Sequence, residues 1–171
     1  RTTPSVGIIG LKCLQYRTRL IESAGLTATK DEKMLGDLGK YEPSHCFSAV
    51  YPVAAVQFAF VLLRAEAVKG TMDYQPYHGW KGWEDFETCY QVRKRGWQIL
   101  FCGLGVGYHE TLVTRGSTDP KDVELNHQNK EIFAKRWGFW ETYRKYTSYL
   151  PEYFPTMSAM DLMKNELPVT A

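Results

Sequence analysis

Two acidic residues next to a pair of tryptophans are the best candidates for chemistry in this sequence. Glu84 and Asp85 directly follow Trp83, and Trp80 lies three residues earlier in a glycine-containing segment. A carboxylate accepts hydrogen bonds from hydroxyl groups, and as a general base it can remove a proton. Indole rings offer flat apolar faces to the C–H faces of a sugar. The pattern suggests a sugar-binding loop with a base, although acidic residues also favour a helix N-terminus without any function, by roughly 0.3–1 kcal/mol.

Two residues further along the chain have side chains that suit a metal ion and a phosphate. His109 follows a predicted helix and strand and precedes Glu110, so a divalent metal could bind there. Arg115 lies in the next predicted loop, and its guanidinium fits phosphate through a bidentate fork. A single histidine is more often structural, however, and a surface arginine is more often simply solvated.

Composition excludes several classes of protein. The chain has 171 residues, which corresponds to one domain or part of one. It has 21 basic against 19 acidic residues, which gives no support for a nucleic-acid binder built on bulk charge. The longest apolar run is too short for a transmembrane helix. The start is not a signal peptide and has no initiator Met, so we expect the chain to begin inside a longer product. The four cysteines form no C-x-x-C pair, which gives no support for a zinc ribbon or a redox motif. The apolar neighbours of Cys13, Cys89 and Cys102 predict reduced, buried thiols, and hence a reducing, cytoplasmic compartment.

The elements that must position these residues alternate between strands and helices. Hydrophobic patterns predict strands over 6–14, 53–63 and 97–102 with an extension over 106–109, and helices over 64–68, 85–95 and 124–146, the last broken at Gly138. We expect irregular structure over 15–48 with one short helix at 31–38, and a polar loop over 111–123. This order predicts an α/β fold in one domain, residues 1–150, followed by a C-terminal arm, residues 151–171.

Five segments of the sequence occur in an order that resembles a known family. They are PSVGIIGLK (4–12), FVLLRAEAV (60–68), WEDFETC with GWQIL (83–100), YHE with TRG (108–116) and FAKRWG (133–138). Together they resemble the C-terminal, acceptor-side half of a family 2 glycosyltransferase of the GT-A fold. The resemblance implies a mixed sheet flanked by helices. The family's metal-binding D-x-D motif occurs nowhere in the sequence, so the N-terminal nucleotide-binding half is expected on another chain or in an upstream segment.

The resemblance also implies a reaction, which is inverting transfer of a sugar from a nucleotide-sugar donor to a hydroxyl acceptor. Asp85 would be the general base, and a divalent cation, Mn²⁺ or Mg²⁺, would be held partly by His109. The other implied roles are acceptor binding by Glu84, Trp80 and Trp83, and diphosphate binding by Arg115.

Two other functions fit parts of the sequence. A non-catalytic, carbohydrate-binding or assembly module is favoured by the missing donor half, whereas Glu84, Asp85 and His109 together argue for an enzyme. An unrelated metal hydrolase would use His109 with acidic residues, but the sequence has no second histidine at ligand spacing.

Overall fold

The computed structural model describes residues 6–28, 34–71, 76–78, 82–110, 119–138 and 141–146. Within these residues the chain forms strands and three helices in a mixed α/β arrangement. The elements are β1 (Val6–Gln15), β2 (Ile21–Ser23), β3 (Leu26–Ala28), β4 (Met34–Leu38), β5 (Val50–Pro52), β6 (Val61–Leu63), α1 (Ala65–Val68), α2 (Glu84–Lys94), β7 (Gln98–His109), α3 (Pro120–Trp137) and β8 (Glu141–Tyr146). None of the helices in this described part has both the length and the hydropathy of a membrane span.

The main sheet is mixed and is organised around β1. It has five strands in the order β2-β1-β7-β5, with β6 also paired to β1. β7 runs parallel to β1 along its whole length, while β6 and β2 are antiparallel to it and pair with its first and second halves. Since β7 occupies one edge of β1, β6 and β2 share the other edge. The predicted mixed sheet flanked by helices is confirmed at this level.

Glycines on β1 allow the layers above the sheet to approach closely. A Cβ at Gly7 would lie 2.9 Å from atoms of Ala67 and Val92, which are on α1 and α2. A Cβ at Gly10 would lie 2.5 Å from the Val56 side chain. Both distances are shorter than real Cβ contacts allow, so these positions need glycine. The contacts also show that α2 lies against β1.

Two predicted elements are wrong. The described part of the predicted helix 31–38 is not helical, because Met34–Leu38 is β4, which pairs with β3 and β8 in a second sheet of order β3-β4-β8. The apolar run 53–63 is a strand only at Val61–Leu63. Val53–Val56 are buried but irregular, and the Ala54 and Ala55 backbones bond to Leu26. In both cases tertiary pairing overrides the local pattern.

The prediction of irregular structure over 15–48 is also wrong in part, since Ile21–Ser23 and Leu26–Ala28 form β2 and β3. Several of the other predictions from local pattern are confirmed. α2 ends before Gly96, which has a left-handed φ of 85°, and 97–102 and 106–109 join into the single strand β7. The third helix is α3, but it ends at Gly138, with a φ of 78°. The prediction of helix beyond that point is wrong, since 141–146 form β8. The predicted arm, 151–171, and most of the predicted loop 111–123 lie outside the described residues.

Candidate functional site

The first turn of α2 holds the predicted base. Asp85 is half-buried, and its Oδ1 accepts a hydrogen bond of 2.9 Å from the backbone N–H of Phe86. Its Oδ2 lies 3.4 Å from the backbone nitrogen of Phe58, in the loop before β6. The positive end of the helix dipole also favours a negative charge at this position. Asp85 therefore has a fixed position and remains partly accessible to a ligand.

Trp83 differs from its predicted role as an exposed sugar platform. It is only 7% exposed and packs edge-on against Phe86 and, tilted, against Phe133, with ring centroids 5.2 and 5.5 Å away. Trp83 has a left-handed φ of 77° and follows Gly82, whose φ is 100°. This turn directs the indole between α2 and α3, so Trp83 is a core residue. Trp80, the other predicted platform residue, lies outside the described residues.

Glu84, which is predicted to bind acceptor hydroxyls, lies inside the protein. Its side chain is buried, with 5% of the residue exposed. Its backbone oxygen accepts a hydrogen bond of 2.9 Å from the Thr88 hydroxyl within α2. Of the two adjacent acids, only Asp85 is placed where a ligand could reach it.

A third acid on α2, which the sequence analysis did not single out, organises the surrounding packing. Glu87 is fully buried, and its Oε2 accepts 2.7 Å hydrogen bonds from the Tyr77 hydroxyl and the Trp137 indole N–H. Its Oε1 accepts from Gln91 at 2.7 Å and pairs with Arg136 at 3.3 Å. Burial, with the bond to the Glu87 carboxylate, raises the pKa of Tyr77 far above its usual range. Glu87 thus fixes α3 against α2.

The loop before α2 is held by a second residue that the sequence analysis missed. Asn129 on α3 is fully buried, and its Oδ1 accepts a 2.8 Å hydrogen bond from the backbone N–H of His78. Its Nδ2 donates a 3.1 Å hydrogen bond to the carbonyl of Gly82. One side chain therefore bridges both ends of the segment that carries Trp80. No local sequence signal indicates this role for Asn129, which becomes evident only from its burial in the fold.

His109 has a different set of neighbours, at the far end of β7. Its Nδ1 lies 2.7 Å from Oε2 of Glu22 on β2. Cys13 on β1 completes a group whose potential ligand atoms all lie within 4.8 Å of one another. Burial and the Glu22 charge raise the pKa of the Cys13 thiol to about 11. The structure thus places the predicted metal ligand beside a carboxylate and a thiol.

This donor set does not fit the Mn²⁺ or Mg²⁺ that the resemblance implies. Both ions prefer oxygen ligands, and Mg²⁺ keeps several waters in octahedral geometry, whereas a cysteine sulfur and an imidazole suit softer ions. Arg115, the predicted diphosphate ligand, lies outside the described residues. Because the donors around His109 do not suit Mn²⁺ or Mg²⁺, no catalytic step is assigned to either ion there.

The strand register separates Asp85 from His109. Val92 of α2 packs against Gly7 of β1. Asp85 lies seven residues earlier in the helix, which is a distance of about 10 Å along its axis. This places Asp85 roughly beside Gly10 of β1. His109 pairs with Gln15, about five strand residues further on. The backbones of the two residues are therefore on the order of 15 Å apart along the sheet. They contact different elements and belong to two separate groups of residues.

In comparisons with known proteins, no family model, curated protein or solved structure matches this chain.

Proposed function

We propose that this chain is the acceptor-side part of an inverting glycosyltransferase of the GT-A fold, with Asp85 as the general base. The observation that carries the proposal is the half-buried Asp85 at the N-terminus of α2, which contacts two backbone amides. Nearby in the sequence, Asn129 bonds to the backbones of His78 and Gly82. The ordered segments that resemble the family support it, because two of them form the adjacent parallel strands β1 and β7.

In the proposed reaction the acceptor hydroxyl oxygen attacks the anomeric carbon of a nucleotide sugar. The new bond joins that oxygen to the anomeric carbon, and the bond from the same carbon to the diphosphate oxygen breaks. The hydroxyl proton passes to Asp85, and the electron pair of the broken bond leaves with the nucleoside diphosphate. General-base assistance of this kind is typically worth roughly 10²–10⁴-fold in rate.

The proposed partners follow from the same reaction. They are a nucleotide-sugar donor, a glycan or other hydroxyl acceptor, and a donor-binding half supplied by another chain or an upstream segment. Binding of Mn²⁺ or Mg²⁺ stays a prediction. The sequence has no D-x-D motif that would hold the ion, and the donors around His109 suit softer metals. A reducing, cytoplasmic location is part of the proposal, and the four free thiols support it.

The test compares Asp85→Asn with wild type in the complete encoded protein, together with any partner chain that purifies with it. Release of nucleoside diphosphate is measured with a panel of nucleotide sugars and hydroxyl acceptors. We expect Asp85→Asn to lower the rate roughly 10²–10⁴-fold with an unchanged fold. The matched control is Asp122→Asn, which removes the same charge from the first turn of α3. A rate for Asp85→Asn close to that of the control would show that Asp85 is not the base.

A non-catalytic, carbohydrate-binding or assembly module is the second candidate, and one observation favours it. Trp83 and Glu84, two of the three predicted acceptor-binding residues, are buried in the core. Packing in the core is then enough to explain why Trp83 and Glu84 occur at these positions. Under this alternative the complete protein binds glycans or assembles with a partner, and it releases no nucleoside diphosphate from any donor, with or without Mn²⁺.

A further inference from the structure

Three neighbouring strands bring a thiol, a carboxylate and an imidazole together. Cys13 is on β1, Glu22 on β2 and His109 on β7, and their potential ligand atoms all lie within 4.8 Å of one another. We propose that these three residues bind one Zn²⁺ ion. Because the site is built on adjacent strands of one sheet, its ligands are held by ladder hydrogen bonds rather than by a loop.

The chemistry of the three donors selects the metal. Zn²⁺ takes cysteine sulfur, histidine nitrogen and carboxylate oxygen, usually four in a tetrahedron. Three protein ligands leave one position for water or another small ligand. The His109 side chain is 39% exposed, so that position has access to solvent. Mg²⁺ and Ca²⁺ are disfavoured, since both prefer oxygen ligands.

The pairing of the three strands explains how these residues meet. The β1–β2 register shifts between Cys13 and Leu14, and this irregularity brings Glu22 toward the face that carries Cys13. Cys13 pairs with Gly107 on β7, and Gln15 pairs with His109 two residues further along both strands. In the metal-bound site the 2.7 Å contact between His109 and Glu22 gives way to two bonds to Zn²⁺.

This inference does not depend on the proposed glycosyltransferase activity, and its test uses metal binding alone. The full 171-residue chain is stripped with a chelator under reducing conditions and titrated with Co²⁺ and then Zn²⁺. We expect one Co²⁺ per chain, a near-ultraviolet thiolate-to-cobalt charge-transfer band, and displacement of Co²⁺ by Zn²⁺. Millimolar Mg²⁺ should neither displace the Co²⁺ nor change the band.

Two pairs of variants separate this site from adventitious binding. Cys13→Ser should abolish the charge-transfer band, and His109→Asn should weaken Zn²⁺ binding by roughly tenfold or more. The controls are Cys102→Ser, on β7, and His127→Asn, on the exposed face of α3, both of which should bind as wild type does. Unchanged binding in Cys13→Ser or His109→Asn would overturn the proposal.

A measurement on the wild-type chain keeps the proposal falsifiable if the Cys13 variant does not fold. X-ray absorption of the Zn²⁺-loaded chain should show one sulfur at about 2.3 Å with nitrogen and oxygen ligands at about 2.0–2.2 Å. A shell of nitrogen and oxygen alone, or a failure to bind one equivalent of Zn²⁺, would contradict the three-residue site.

Discussion

Replacing the buried Glu87 by glutamine gives the sharpest test of how α2 and α3 are held together. The change keeps the shape of the side chain but removes its charge and turns one acceptor oxygen into an NH₂ group. If that group takes the place of Oε2, it faces the Tyr77 hydroxyl and the Trp137 indole, both now 2.7 Å from this oxygen. The tyrosine hydroxyl can rotate to accept a hydrogen bond, but the indole N–H can only donate. One buried donor is then left facing another.

The expected loss of stability follows from these contacts. An unsatisfied buried donor costs about 1–3 kcal/mol, and hydrogen bonds to a charged acceptor are worth about 1.5–3 kcal/mol each. The Arg136 side chain is 43% exposed, so its ion pair with Glu87 adds little. We therefore expect Glu87→Gln to lower the free energy of unfolding by about 2–4 kcal/mol. For a chain of this size that is a fall in Tm of roughly 4–16 °C.

Urea denaturation followed by circular dichroism measures this loss, with Glu131→Gln as the control on the exposed face of α3. A double-mutant cycle with Trp137→Phe isolates the indole contact. Phenylalanine removes the donor that the new amide group would face. The free energy of unfolding of the double variant should therefore be about 1 kcal/mol or more higher than the value expected if the losses of the two single variants simply added. A Glu87→Gln effect within about 0.5 kcal/mol of the control, or strictly additive effects, would refute the proposed network.

Three further perturbations have defined outcomes. Lys12→Met should cost about 1–3 kcal/mol, because the buried ammonium donates three hydrogen bonds into the loop 44–48, and hydrogen exchange in that loop should accelerate. Gly103→Ala should destabilise the fold by about 1–3 kcal/mol in urea denaturation, since its Cβ would overlap the backbone oxygen of Phe47. Burial raises the pKa of Tyr51 far above its ordinary value, so the folded state keeps a proton that the unfolded chain loses above about pH 10. Stability should therefore fall as the pH rises above about 10, and denaturation curves of Tyr51→Phe should show a smaller fall.

The parts of the fold that the sequence predicted are those fixed by local chemistry. α2 has apolar residues at helical spacing and a glycine directly after its last turn, and the structure ends the helix there. β4 shows the opposite case. Its residues carry no clear strand pattern, and Gly36 only weakens a helix there by about 1 kcal/mol. The strand exists because β3 and β8 satisfy its backbone, and the pairing with β8 is too distant in sequence to leave a local signal.

The candidate site shows the same division. The sequence indicated Asp85 through its place in an acidic pair beside tryptophans and through the family resemblance, but it could not distinguish an exposed Trp83 from a buried one. That difference depends on a left-handed backbone at the tryptophan, which residue type does not predict. Cys13, Glu22 and His109 have no ligand spacing along the chain. They meet only because the sheet places β2, β1 and β7 side by side.

The three acids of α2 can be assigned separate roles from their burial. Burying a carboxylate is costly unless several donors compensate for it, and Glu87 has such donors from both helices and the preceding loop. Its presence therefore needs no ligand to explain it. Asp85 is offset from Glu87 by two residues, about 200° around the helix, so it points away from that network. Glu84 is only 5% exposed, so Asp85 is the acid of α2 that a ligand could reach. A function for the acidic cluster must consequently rest on Asp85, and a variant that loses activity without losing stability is expected there.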